Sequence, residues 1–178
     1  QTDFALILNP DLICDNNFFT NLNSILQKNR DFSIIGCQYM YDSVFMPAGF
    51  FNSKKNNIFK KKIQNNEIIP LEKVDWVTGC SMLINLKQFK NKEIFDKNFF
   101  LYFEEFDLCK SIVDKGGNIY TSSDLRIHHL GFQSSLGSNL ENLKRANRMR
   151  DWHWMWSSFY FYKKNYGLFK ALIRLSGK

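Results

Sequence analysis

Apolar residues run unbroken from Phe4 to Leu8 and stop at Asn9-Pro10-Asp11. So short a run fits a strand buried on both faces, and the proline ends it while holding Asn9 extended. Phe18, Leu22, Ile25 and Leu26 then recur at helical spacing, with Asp15 or Asn16 placed to cap the helix. Phe32 to Cys37 returns to strand character. Strand, helix and strand in succession predict an α/β layer fold.

Residues 52–66 break the pattern. They hold five Lys and five Asn, with only Ile58, Phe59 and Ile63 apolar, and read as a polar, mobile loop or lid. Val74 to Val77 and Ser81 to Ile84 read as short strands joined through Thr78-Gly79-Cys80, and Leu86 to Lys92 as a helix. An aromatic run, Phe99 to Phe103, leads into Glu104-Glu105-Phe106-Asp107. Leu108, Cys109, Ile112 and Val113 then have helical spacing, and Gly116-Gly117 is a suitable stop. Ile119 to Thr121 and Leu125 to Leu130 read as two strands, the second carrying His128-His129. A Gly- and Ser-rich loop follows from Gly131 to Ser138. Ser138-Asn139-Leu140-Glu141 matches a capping box, opening a long helix to about Asn165. Gly167 breaks it before a final short helix to Leu175. No internal repeat occurs. The pattern divides the chain into a domain over 1–137 and a helical tail over 138–178.

Composition sharpens this picture. The 178 residues are 44% hydrophobic, with 18 Phe, enough for a substantial core. The net charge of +7 favours anionic partners without choosing among them. Cys14, Cys37, Cys80 and Cys109 are widely spaced and form no C-x-x-C, so free thiols in a reducing cytosol are the plainer expectation. No apolar run approaches the roughly 18 residues of a spanning helix. The chain begins with Gln1, not Met, and enters a core strand almost at once, so we expect a piece of a longer domain.

Four clusters could carry chemistry, and the residues alone leave two readings for each. Asp11, at the carboxyl end of a strand, is either a turn residue or a carboxylate for a cation bridging two phosphates. Glu104, Glu105 and Asp107 either answer a helix dipole or supply a general base beside an aromatic wall. His128 and His129 are either hydrogen-bonded core histidines or cation ligands and phosphate donors. Strand alternation sends their rings to opposite faces, so one of them enters any site. Trp76 to Cys80 is either a core tryptophan beside a turn or a sugar-stacking loop. His153 receives no catalytic role. From Lys144 to Lys178 nine Lys/Arg accompany one acid, Asp151, among many aromatics. This stretch suits a helix on an anionic membrane or a helix packed on the domain. Nucleic-acid stacking is a third option, unsupported by any recognised motif.

The order of these pieces is more specific than any one of them. Leu-Asn-Pro-Asp, then Val-Asp-Trp-Val-Thr-Gly-Cys-Ser-Met-Leu-Ile, then Phe-Asp-Lys-Asn-Phe-Phe-Leu-Tyr-Phe-Glu-Glu-Phe-Asp-Leu-Cys, then Ile-His-His-Leu-Gly-Phe-Gln-Ser resembles family 2 glycosyltransferases, nearest their rhamnosyltransferase-like branch. The resemblance runs from about Phe4 to Tyr166. It implies an α/β fold of GT-A type (the nucleotide-diphospho-sugar transferase fold), incomplete at its N-terminus, with a helical C-terminal segment. It implies a nucleotide-diphosphate sugar donor, a glycan or lipid-linked acceptor and a divalent cation, Mn2+ or Mg2+. On this likeness Asp11 is the acidic end of the metal motif, with Asn9 where many relatives carry Asp. Glu105 falls at the catalytic base, flanked by Glu104 and Asp107. His128, with His129 second, matches the histidine near metal and diphosphate. Trp76, Thr78, Gly79 and Cys80 match the donor- and acceptor-contacting loop.

The activity expected from the resemblance is a single displacement at the anomeric carbon. Glu105 would deprotonate the acceptor, and stereochemistry would invert. Arg145, Arg148 and Arg150 are candidates to contact phosphate or a lipid headgroup. The expected location is cytoplasmic, with contact at the inner face of the plasma membrane through 144–178. The strands and nucleotide loop that precede Leu8 in complete members are missing here, so the chain alone is expected to be impaired. The rival reading is a non-catalytic basic module that docks on membrane or nucleic acid.

Overall fold

The computed structural model describes residues 2–40, 47–65, 67–89, 93–129 and 140–176. It is a mixed α/β structure that divides into two compact units. One comprises Gln1–Glu93 with Cys109–Gly131; the other comprises Ile94–Leu108 with Phe132–Lys178.

The first unit is built on β1 (Phe4–Leu8), β2 (Leu12–Cys14), β3 (Ile34–Met40), β5 (Glu72–Val74), β7 (Ser81–Asn85) and β8 (Ile119–His129), which form one sheet. Its path runs β1-β7-β3-β8-β2, with β5 also on β8. β7 is antiparallel to β1 and to β3, whereas β3 and β8 are parallel. The carboxyl ends of β1, β3 and β8 therefore lie at one edge of the sheet. β4 (Ala48–Gly49) and β6 (Trp76–Val77) make a small second sheet.

The helix α1 (Phe18–Lys28) buries Phe18 and Leu22 against Phe32, Ile35, Cys37, Leu83, Leu125 and Ile127, with Ile25 and Leu26 at the margin. This is the apolar stripe expected from its spacing. Alternation turns Gly36 to the other face, where Val77 of β6 crosses so closely that any Cβ would collide with it.

Several expectations need correction. Residues 53–64 form a helix, α2 (Ser53–Gln64), rather than a loop. Asn52 caps it by accepting from Lys55 N, and Phe59, 1% exposed, anchors it against Phe50. One buried aromatic with a cap suffices when the other positions are straight-chain lysines, which are good helix formers. The residue before α1 is Asn17, which makes no side-chain cap bond. β8 is one strand, because the polar Ser122 and Ser123 inside it bond to Pro70 O and Ile69 O. β1 is half-buried rather than covered on both faces, and Leu8 is 37% exposed. Over 86–89 the chain forms a short 3-10 helix, and residues 90–92 lie outside the described residues. The loop at 131–138 and the capping box at 138–141 also fall outside the described residues or side chains.

The second unit is dominated by α4 (Leu140–Tyr166) and α5 (Leu168–Ser176). Ser157, Ser158 and Phe161 of α4 are buried, and Ser157 Oγ donates to Leu101 O. Phe103 contacts Trp154 and Phe161, Phe99 meets Tyr160, and Phe100 meets His153. Much of the aromatic content of α4 is thus spent on packing residues 94–108. Among the described residues no helix is long and apolar enough to cross a membrane. All four cysteines are free thiols.

Candidate active site

The carboxyl edge of the main sheet brings together residues distant in sequence. The β1–β7 register pairs Leu8 with Ser81, and one step beyond it Asn9 N donates to Cys80 O at 2.9 Å. The Asn9-Pro10-Asp11 turn therefore sits directly beside the Thr78–Cys80 turn. Thr78 Oγ1 lies 3.4 Å from Cys80 Sγ, and Thr78 N donates to Pro47 O. Asp11, half-buried, leads into β2, whose first residue Leu12 pairs with His129 at the end of β8. The side chain of His129 is outside the described set. Trp76 is half-buried, and its ring occupies the space that a Cβ on Gly49 would need.

His128 takes a different place. Alternation along β8 buries Leu125 and Ile127 and turns Arg126 and His128 outward. His128 Nε2 meets Asp15 Oδ1 at 2.9 Å. A carboxylate only accepts, so Nε2 carries the proton in the neutral ring and Nδ1 presents the lone pair. The pair borders an open polar cavity of about 570 Å³ on the flank of β8, lined also by Asn17, Asn21, Asp124 and Arg126. Such a mixture of amides, carboxylates and cations suits hydroxyl-rich or phosphorylated ligands. Asp15, weighed above only as a helix cap, is the partner missed. Its pairing spans 113 residues and leaves no local trace in the sequence.

In the second unit, α3 (Glu104–Asp114) opens with Glu104, Glu105 and Asp107 in its first turn. The two residues before it, Tyr102 and Phe103, both have φ of 67°. Bulky side chains at left-handed φ store about 1–3 kcal/mol each, and such strain concentrates at functional sites. Glu104 Oε2 is shut off from solvent with no hydrogen-bond partner, and Glu105 Oε2 is shielded from solvent too. Asp107 has a structural engagement: Lys164 Nζ donates to it at 2.6 Å and Asn165 Nδ2 at 3.1 Å. Lys164 also bonds Asp96 Oδ2 at 2.7 Å. Burial pushes the Asp96 carboxyl up, but hydrogen bonds from Lys164 and Asn98 outweigh it and bring it down to about 2. Burial likewise lowers the Lys164 ammonium, and its bonds to Asp107 and Asp96 more than reverse this.

Among the described residues no three His, Cys, Asp or Glu side chains are grouped as a ready metal site. A hard cation needs less than that, because it takes one or two carboxylates and completes its shell with substrate phosphate oxygens and water. Asp11 is compatible with that role, and His128 offers only Nδ1 besides the nitrogen facing Asp15.

No family model matches the chain. The chain is similar to a rhamnosyltransferase. Rhamnosyltransferase WbbL of Escherichia coli (strain K12) is 25% identical over 163 residues, covering 85% of this chain and 58% of that protein. The chain thus spans a little over half the length of the curated relative it matches. That likeness supports a glycosyltransferase-like relationship. Among solved structures, A197 from STIV superposes with a TM-score of 0.45 at 14% identity, over 71% of this chain and 57% of that one. The superposition is too loose to establish a common fold.

Proposed function

We propose that the chain is the catalytic part of an inverting glycosyltransferase of GT-A type, moving a sugar from a nucleotide-diphosphate donor to a hydroxyl of a glycan or lipid-linked acceptor. The observation that carries this reading is the shared sheet edge: Asn9 hydrogen-bonded to Cys80, with Asp11 at the start of β2 and His129 at the end of β8. Ligands of open α/β sheets bind outside the carboxyl ends of strands. The likeness to a rhamnosyltransferase gives that edge a chemistry, and rhamnose is the donor sugar it favours.

In this reading Asp11 would hold a divalent cation together with the donor diphosphate, and His128, whose Nε2 is engaged by Asp15, would have only Nδ1 to offer it. When bound, the cation neutralises charge on the departing diphosphate. Glu105, in the first turn of α3, would be the base that takes the proton of the acceptor hydroxyl. Glu104 adds negative charge at the same helix start. Asp107 acts through Lys164, fixing the first turn of α3. Trp76 and the Thr78-Gly79-Cys80 turn line the acceptor and donor sugars. Attack and departure on opposite faces in one step invert the anomeric centre.

The test is turnover of a nucleotide-diphosphate sugar by an intact parent enzyme that contains this chain. Glu105→Gln is expected to cut the rate by about 10²–10⁴-fold while leaving nucleotide-diphosphate affinity unchanged. Asp11→Ala is expected to abolish metal-dependent binding of the nucleotide diphosphate in calorimetry. Near-wild-type turnover in Glu105→Gln removes that residue from the mechanism, and unchanged affinity in Asp11→Ala removes the cation site.

A further inference from the structure

The helix α5 carries an apolar face that is left exposed among the described residues. Leu168, Phe169, Leu172 and Ile173 are 54%, 76%, 50% and 54% exposed. Positions i, i+1, i+4 and i+5 share one side of a helix, so these four form a continuous stripe rather than scattered exposure. Ala171, fully buried, lies on the side where α5 folds back along α4 after the Gly167 break. The stripe is therefore not the face that holds α5 to its own unit.

The charges around it are of one sign. From Trp152 to the end of the chain there are five Lys/Arg and no Asp or Glu. Lys163, Lys170 and Arg174 are exposed. Lys170 sits 5.4 Å from the ring of Tyr166, and Arg174 5.5 Å from that of Tyr162, which holds two cations beside the helix seam. Trp152, Trp154 and Trp156 on α4 are 61%, 41% and 48% exposed.

We infer that α5 lies in the plane of an anionic lipid surface, with Leu168, Phe169, Leu172 and Ile173 in the acyl boundary and the flanking cations on the headgroups. Charge complementarity selects this occupant. A second copy of the chain would bring cations against cations, whereas an anionic bilayer supplies both an apolar layer and the opposite charge. Nine residues cannot span a bilayer, so the helix lies flat. The inference centres membrane contact on α5, since Trp154, Tyr160 and Phe161 of α4 are engaged with 94–108. It is independent of the catalytic reading.

The experiment is co-sedimentation of the 178-residue chain with vesicles of phosphatidylcholine alone and of phosphatidylcholine with phosphatidylglycerol. Binding is expected on the anionic vesicles, at least tenfold weaker on the neutral ones, and weaker again when salt is raised to about 0.5 M. Phe169→Ser/Leu172→Ser is expected to lower partitioning at least tenfold with unchanged circular dichroism. Lys170→Gln/Arg174→Gln is expected to reduce the preference for anionic lipid. The single Phe169→Ser, at the most exposed position, serves if the double variant loses helix. Equal partitioning of these variants and the parent chain overturns the inference, as does absence of binding to anionic vesicles. Self-association in sedimentation velocity that disappears in Phe169→Ser would assign the stripe to a second copy instead.

Discussion

Lys164 Nζ lies 2.6 Å from Asp107 and 2.7 Å from Asp96, so one ammonium near the end of α4 holds two carboxylates of the 94–108 segment. Asp107 is almost wholly buried and pairs with this cation. Lys164→Met should therefore destabilise the second unit by about 1–3 kcal/mol, less than the roughly 3–5 kcal/mol of a fully buried pair, because Lys164 is itself partly exposed. Lys164→Met/Asp107→Leu should recover part of that loss, since the stranded charge is gone. Urea unfolding monitored by tryptophan fluorescence reads both. An unchanged midpoint in Lys164→Met would show that the network has no energetic role.

The same network fixes a dependence on acid. Asp96 is held at about 2, below the usual carboxylate value. A depressed folded-state pKa adds stability that is complete above the unfolded value, near 4, and is lost as pH falls towards 2. The contribution is about 1 kcal/mol once solvent screening is allowed for. Unfolding midpoints of the parent chain and Asp96→Asn should differ at neutral pH and converge in that acid window. A constant difference down to about pH 2 contradicts the assignment.

Where periodicity is local, the chain is legible. The stripe of α1, the strand at Phe4 to Leu8, the glycine stop after α3 and the break at Gly167 all follow from neighbouring residues. α2 hides because only Phe59 is fully buried and its remaining positions are polar. β8 reads as two strands because its serines find partners on residues 69 and 70, more than fifty positions away. The site follows the same division. Asn9, Asp11 and Cys80 are visible as turn residues, but their adjacency depends on β1 pairing with β7. Asp15 beside His128 and Lys164 beside Asp107 are products of tertiary folding, invisible to any short window.

Cysteine chemistry offers a direct probe of the first unit. Burial pushes the Cys37 thiol up to about 12, only partly offset by the hydroxyl of Ser81, which donates to Sγ at 2.9 Å. At about pH 8 its thiolate fraction is on the order of 10⁻⁴, and its 1% exposure bars reagent as well. Iodoacetamide should leave Cys37 unmodified in the folded chain and label it fully in denaturant, as read by peptide mass spectrometry. Cys14 and Cys80, half-buried, should label measurably before unfolding. Labelling of native Cys37 at the rate of Cys80 would mean that the β3–β7 core opens readily.

Two asparagines one residue ahead of helices make a matched pair. Asn52 has extended dihedrals, and its Oδ1 accepts from Lys55 N at 3.1 Å, closing the first turn of α2. Asn17 stands at the same position of α1 with φ of −93° and ψ of 3°, and its side chain makes no cap bond. Replacing a working cap by alanine costs about 1 kcal/mol. Asn52→Ala should therefore lower the unfolding midpoint, while Asn17→Ala should fall within about 0.5 kcal/mol of the parent, as surface changes away from such features do. Because the lysine-rich α2 has little buried surface beyond Phe59, the loss should also appear as faster amide exchange at its first turn. Equal effects of the two substitutions would mean that the Asn52 contact contributes nothing, leaving Phe59 to hold α2 in place.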